Sequence, residues 1–138
     1  MKKFEFTGKK VADAQFRAYG GSLEEAFANA ALAMASIMYD YVKIKPAEER
    51  EIKIEGNDLQ SLLYNFLEEI LFLLDTENFL LHSVKEIKIK NNQLEAVLVG
   101  DTKIENYELF GQVKAVTYNE MKIEKEKDIY MVQVVVDI

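Results

Sequence analysis

The chain ends Val134-Val135-Val136-Asp137-Ile138, so the Asp137 carboxylate and the α-carboxylate of Ile138 stand one residue apart. A β-branched run that keeps its pattern to the last residue predicts a terminal strand held in a sheet. The two anionic groups would then be fixed in place. Such a pair is either a repulsive surface feature or an oxygen-rich site for a cation, and hard divalent ions such as Ca²⁺ and Mg²⁺ take oxygen ligands. A plain exposed tail is the competing expectation. Asp13, within Val11-Ala12-Asp13-Ala14, is a second acid in an apolar string. An isolated charge in apolar surroundings is costly unless it is paired. Asp40, in Met38-Tyr39-Asp40-Tyr41, is a third candidate, placed where a helix would end and an acid is slightly unfavourable.

Other chemistry is sparse. No nucleophile–base pairing stands out, and His82, after Phe79-Leu80-Leu81, reads as a strand-edge residue. Gly20-Gly21 lacks the residues of a phosphate-binding loop and reads as a turn before a helix. The absence of Cys rules out both a disulfide framework and a thiolate metal site.

These groups must be positioned by a chain of 138 residues, expected to form one domain, 1–138, with a substantial core. A composition 49% hydrophobic and 30% charged is that of an ordinary soluble globular protein. The net charge of −7 offers no broad field to a phosphate backbone. Lys85, Lys88 and Lys90, and Lys122, Lys125 and Lys127, alternate with Glu86, Glu124 and Glu126, which predicts solvated strand faces. Nucleic acid, if involved, would belong to a partner. Met1-Lys2-Lys3 is followed by Phe4-Glu5-Phe6 and not by the apolar run of a secretory signal. Ile70 to Leu74 is far too short to cross a bilayer. A cytoplasmic protein without membrane association is expected.

Two helices are predicted. Ser22 and Glu25 have the spacing of a capping box, and Leu23, Phe27, Ala30, Ala31, Met34 and Met38 follow at helical spacing. The alanines between Ala26 and Ala35 suit close packing against a sheet. The second helix starts near Asn57-Asp58 and carries Leu62, Leu63, Phe66, Leu67, Ile70, Leu71, Leu73 and Leu74. An apolar arc that wide predicts cover on more than one side, with Glu68 and Glu69 on a narrow wet face. Strands are predicted over Lys3–Thr7, Gln15–Tyr19, Glu51–Glu55, Val84–Lys90, Leu94–Val99, Val113–Tyr118, Met121–Glu126 and Ile129–Val136. Asn91-Asn92 and Lys127-Asp128 serve as hairpin turns, since Asn tolerates positive φ. Asp101 to Gly111 reads as a loop. The fold class is α+β, a largely antiparallel sheet packed with two main helices, in which a strand-helix-strand pattern occurs twice.

The residues read as strings resemble a known family. Ala12-Asp13, Phe16-Arg17-Ala18-Tyr19-Gly20, Ser22 to Phe27, Asn29 to Met34, Asp58 to Tyr64, Gly111 with Val113-Lys114-Ala115-Val116-Thr117-Tyr118, and Val135-Val136-Asp137-Ile138 together closely resemble archease. The matches occur in order over nearly the whole chain. The resemblance implies a small fold of strand-helix-strand-strand modules. It implies a cytoplasmic, non-enzymatic protein cofactor of the RtcB-type RNA-splicing ligase, which joins RNA ends in tRNA maturation using GTP and Mn²⁺. Family members promote guanylylation and multiple turnover of that ligase, and RNA is met only through it. It further implies a divalent-cation site (Ca²⁺ or similar) at Asp13 and Asp137, with the terminal carboxylate of Ile138 beside them, and a functional role for Lys114 in ligase activation.

The departures from the family pattern fall in one motif and near another. Where members read Asp-His-Thr-Ala-Asp or Glu-His-Thr-Ala-Asp, this chain reads Lys9-Lys10-Val11-Ala12-Asp13. Gln15 stands in place of a small Gly and Asn119 in place of a His. An ammonium beside carboxylates competes with a cation; one charge pair at about 4 Å and an effective dielectric of about 20 is worth roughly 4 kcal/mol before desolvation. Lys10, and less so Lys9, is therefore a candidate surrogate for part of the metal's charge. Two alternatives stay open beside ligase activation: a degenerate paralogue that keeps the fold without a working metal site, and a metal-dependent nucleotide-handling enzyme.

Overall fold

The structure, a computed structural model, describes residues 1–138, the side chain of Lys9 excepted. In chain order the elements are β1 (Phe4–Lys9), β2 (Asp13–Gly20), α1 (Leu23–Met38), β3 (Glu48–Glu55), α2 (Leu59–Glu77), β4 (Leu80–Lys90), β5 (Gln93–Asp101), β6 (Ala115–Glu126) and β7 (Ile129–Asp137). Each helix starts where a side chain meets its orphan amides. The Ser22 hydroxyl accepts the Glu25 N–H at 3.1 Å, while the Glu25 carboxylate accepts the Gly21 N–H at 2.9 Å. At α2 the Asp58 carboxylate accepts the Ser61 N–H at 2.8 Å and the Ser61 hydroxyl returns to the Asp58 N–H at 3.1 Å. Asn78, in the left-handed region at φ 58°, ends α2.

The antiparallel pairing expected from the sequence is divided between two sheets, of order β1-β2-β7-β6 and β3-β5-β4. The doubled pattern is explicit in these orders. β3-α2-β4-β5 builds the three-stranded sheet with its last strand in the middle. β2-α1-β6-β7 builds the larger sheet the same way, with β1 added at the edge. The second module is thus inserted between α1 and β6 of the first.

Both helices lie between the sheets. α1 meets β2 and β7 on one side and β4 on the other, and α2 meets β6 on one side and β3 and β5 on the other. This explains the alanine row of α1, since a helix packed on two sheets has room for little more than Cβ; Ala26, Ala30, Ala31, Ala33 and Ala35 have no exposed surface. Phe27 of α1 and Phe66 of α2 stack with ring centroids 6.3 Å apart. Glu68 and Glu69 are half-buried rather than wet, and burial raises the Glu69 carboxyl above its ordinary range, with Glu77 adding to the effect.

Beyond α1 the chain turns through a short 3₁₀ segment, and the buried Tyr39 hydroxyl there accepts the Leu81 N–H at 2.9 Å. Burial pushes its phenol up to about 12. An unfolded phenol ionises near pH 10. The folded chain therefore holds a proton that the unfolded chain has lost, and this contribution to stability, complete below pH 10, drains away as pH rises toward 12. Tyr39→Phe should cost roughly 1–2 kcal/mol at neutral pH, because the Leu81 amide loses its acceptor. Denaturant titrations of parent and variant should then converge between pH 10 and 12; parallel curves would contradict the assignment.

The segments Val113–Tyr118 and Met121–Glu126, expected as two strands, are one strand, β6. Its register against β7 jumps from Thr117↔Val135 to Lys122↔Gln133. Val134 alone therefore spans what Tyr118, Asn119, Glu120 and Met121 span on β6. Glu120 sits at φ 52° in this bulge.

Candidate functional site

β1 and β2 are joined by a tight turn in which the Lys10 N–H donates to the Asp13 carbonyl at 2.9 Å. Asp13 opens β2 and Asp137 closes β7, and the two are direct cross-strand partners. Side chains of opposed residues share a face, with Cβ atoms about 4.5–5.5 Å apart. Ala14, Phe16 and Ala18 of β2 and Val132, Val134 and Val136 of β7 are buried toward the helices. Asp13 and Asp137 therefore stand on the outer face of the sheet, half-buried and exposed respectively. Their apolar neighbours in sequence do not surround them in space, because alternate residues of a strand point to opposite faces.

The chain end is held as its pattern predicts. The Ile138 N–H donates to the Ala12 carbonyl at 3.0 Å, and the Ile138 side chain packs against the core. Lys114, immediately before β6, donates its N–H to the Asp137 carbonyl at 2.8 Å, and its side chain is exposed. Asp13, Lys114, Asp137 and Ile138 thus converge from β2, β6 and β7 at one end of the four-stranded sheet. Like charges placed directly opposite one another destabilise a sheet. Nothing in the folding of β2 against β7 requires acids at both positions.

Asp13 also lines a shallow cleft of about 380 Å³ with Lys10, Gln15, Asn119 and Glu120. Lys10, Gln15 and Asn119 are three of the positions at which the chain departs from the family pattern. The side chain of Lys9, another such position, lies outside the described residues. The Gln15 amide bridges two strands: its Nε2 donates to Glu120 at 3.0 Å and its Oε1 accepts from Thr7 at 2.9 Å. Gln133 fixes the bulge by donating to the Glu120 carbonyl at 2.7 Å. The sequence reading did not single out Glu120. Its only signal is the broken alternation between Tyr118 and Met121.

Among the described residues, no ion pair within 4.0 Å joins Lys10, Lys114, Asp13 or Asp137 to a charged partner. No three His, Cys, Asp or Glu side chains are grouped to hold a metal, among the described residues. The other candidates fall elsewhere. The Asp40 carboxylate caps the 3₁₀ turn through the Val42 N–H at 3.2 Å. It lines a larger cavity of about 610 Å³ with Lys43, Lys45, Tyr107 and Phe110, away from the paired aspartates. His82 is a half-buried residue of β4 with Nδ1 3.3 Å from the Tyr41 carbonyl.

Comparison with known proteins gives a consistent result. The family model described as the Archease protein family (MTH1598/TM1083) matches residues 4–138. The protein archease of Sulfurisphaera tokodaii is 44% identical, with 100% of both chains covered. That of Methanothermobacter thermautotrophicus is 42% identical, also over 100% of both. The solution structure of Methanobacterium thermoautotrophicum protein 1598 superposes with a TM-score of 0.83 at 40% identity, covering 100% of both chains.

Proposed function

The chain belongs to the archease family, and from that premise we propose that it is a non-enzymatic protein cofactor that activates an RtcB-type RNA ligase, promoting its guanylylation and multiple turnover. The observation that carries this reading is the pairing of Asp13 with Asp137 across β2 and β7, with Lys114 bonded to the Asp137 carbonyl. The arrangement is open, charged and held by backbone bonds. Such an arrangement is suited to offering groups to another protein's site. The acidity of the chain, at −7, fits contact with a protein and not directly with RNA. Among the described residues, no helix is long and apolar enough to cross a membrane.

The donor chemistry here is oxygen only, which fits a hard divalent cation such as Ca²⁺. Asp13, Asp137 and the Ile138 carboxylate are the groups that would hold it. A bound cation would neutralise the opposed carboxylates and supply positive charge at the end of the sheet. Six to eight oxygens is the usual complement for Ca²⁺, so this set implies weak binding completed by water or by the partner. Lys10, lining the same cleft as Asp13, favours a second reading in which its ammonium supplies part of that charge and the metal is dispensable or lost.

The test is a ligation assay with catalytic amounts of the matching ligase. Product per ligase should rise at least about tenfold when the purified chain is added, equivalent to ~1.4 kcal/mol. The chain alone should seal no RNA. Unchanged ligation with a demonstrably active ligase would contradict the proposal, and sealing by the chain alone would make it an enzyme.

A further inference from the structure

Glu68 breaks the pattern of its own helix. It lies on α2 among residues that face β6, and its carboxylate accepts the Val116 N–H at 2.7 Å. Val116 is 2% exposed and β6 is an edge strand, so this N–H points away from β7 with no sheet partner. A buried amide left without an acceptor is costly. One turn earlier on α2, Tyr64 stacks on Tyr118 with ring centroids 4.4 Å apart and planes within 8°. Four residues of helix advance about 6 Å and two residues of strand about 6.8 Å. Helix and strand are therefore in step: Tyr64 with Tyr118, then Glu68 with Val116. Two residues before Val116, just ahead of β6, is Lys114, whose N–H holds the Asp137 carbonyl.

We propose that Glu68 is the positioning residue of the site, its carboxylate gripping the Val116 amide so that the root of β6 presents Lys114 beside the Asp13–Asp137 pair. The proposal rests on the reading of that site as the one that activates the ligase. Glu68 touches neither aspartate and acts only through the β6 backbone. Between Val116 and Lys114 lies Ala115, the β6 partner of Asp137, so the grip reaches Asp137 through one residue of strand. The loop before Lys114 is anchored at two points, the Phe110 N–H donating to the Met38 carbonyl at 2.8 Å and the buried Val113, while the side chains from Glu108 to Gln112 are exposed. Release at Val116 would leave Lys114 held only by its own amide bond to the Asp137 carbonyl and by the buried Val113 before it.

The experiment compares Glu68→Gln and Glu68→Ala with Asp137→Ala in the ligation assay, and follows amide hydrogen exchange in each variant. The glutamine oxygen can still accept, so Glu68→Gln should stimulate within about twofold of the parent. Glu68→Ala should lose at least about fivefold of the stimulation, with Val116, Lys114 and Ile138 amides exchanging at least about tenfold faster and those of α1 and mid-β2 unchanged. A purely structural residue would not give this local pattern with amide rescue. If Glu68→Ala matches the parent while Asp137→Ala is inactive, the role of Glu68 is refuted and the function stands. If Asp137→Ala also matches the parent, the site itself is wrong and the proposal falls with it. Faster exchange throughout α1 and β2 in Glu68→Ala would make Glu68 a general stabiliser and overturn the positioning role.

Discussion

Replacing Asp137 with alanine is expected to lower ligase stimulation at least about tenfold, ~1.4 kcal/mol or more of lost activation, and to leave the fold as stable as before or slightly more so. The two halves of this expectation have separate causes. The bonds that hold the chain end are main-chain bonds: the Asp137 carbonyl accepts from Lys114 and the Ile138 N–H donates to Ala12. Alanine keeps both. The side chain is exposed, so its removal opens no cavity. It stands directly opposite Asp13, and removing one of two like charges relieves a repulsion of roughly 0.2–1 kcal/mol. A thermal melt at low salt should therefore show no decrease and a small increase, which salt diminishes. Loss of stimulation at unchanged or raised stability is the signature of a residue kept for function. Stimulation equal to that of the parent would show that the paired aspartates are not the activating site.

The local devices of this fold were legible because they depend on neighbours in sequence. Ser22 with Glu25 and Asp58 at the start of α2 cap helices as their types predict, and Asn91 and Asn92 sit at φ 52° and 58° in the β4–β5 turn. The held chain end was legible from the unbroken β-branched run. What escaped was set by distant partners. Division into two sheets follows from which strands pair across the insertion of β3-α2-β4-β5, and periodicity carries no such information. The strand expected from Val84 begins at Leu80, because Asn78 halts α2 in the left-handed region and Phe79 to Leu81 are buried on the way into the sheet. Glu68 looked solvated because charge on a helix face usually is. Only the fold reveals an unpaired edge amide opposite it. The paired aspartates were found by type and by resemblance, whereas Glu120 needed the register of β6, since a bulge re-aims a side chain without changing its neighbours in sequence.

Reversing the charge at Lys10 is expected to have the largest effect on the cation chemistry of the site. Lys10 lines the cleft with Asp13 and Glu120, and no carboxylate among the described residues pairs with it within 4.0 Å. Its charge is thus uncommitted and acts on the cleft through the field. Lysine is a compact charge on a flexible stem, able to approach Asp13 or withdraw. In the parent chain that charge would compete with a divalent ion at the proposed site, and calorimetric titration with Ca²⁺ or Mn²⁺ should show weak binding. Lys10→Glu removes a repelling charge and adds an attracting one. Each acts on a doubly charged ion, and at about 8 Å with an effective dielectric near 40 each step is worth roughly 2 kcal/mol. Allowing for screening at an open site, affinity should rise on the order of 100-fold, ~2.7 kcal/mol. The gain should persist in part at high salt if Lys10 reaches the carboxylates, and should vanish if it acts only from a distance, since screening removes long-range terms first. Tight binding by the parent, with Lys10→Glu within about threefold of it, would show that Lys10 does not stand in for metal charge. If affinity does rise, the ligase assay in calcium-free and calcium-containing buffer decides between the two readings of the site. A parent chain that activates without the ion, beside a variant that requires it, would mean that the ammonium of Lys10 has taken over the ion's electrostatic task.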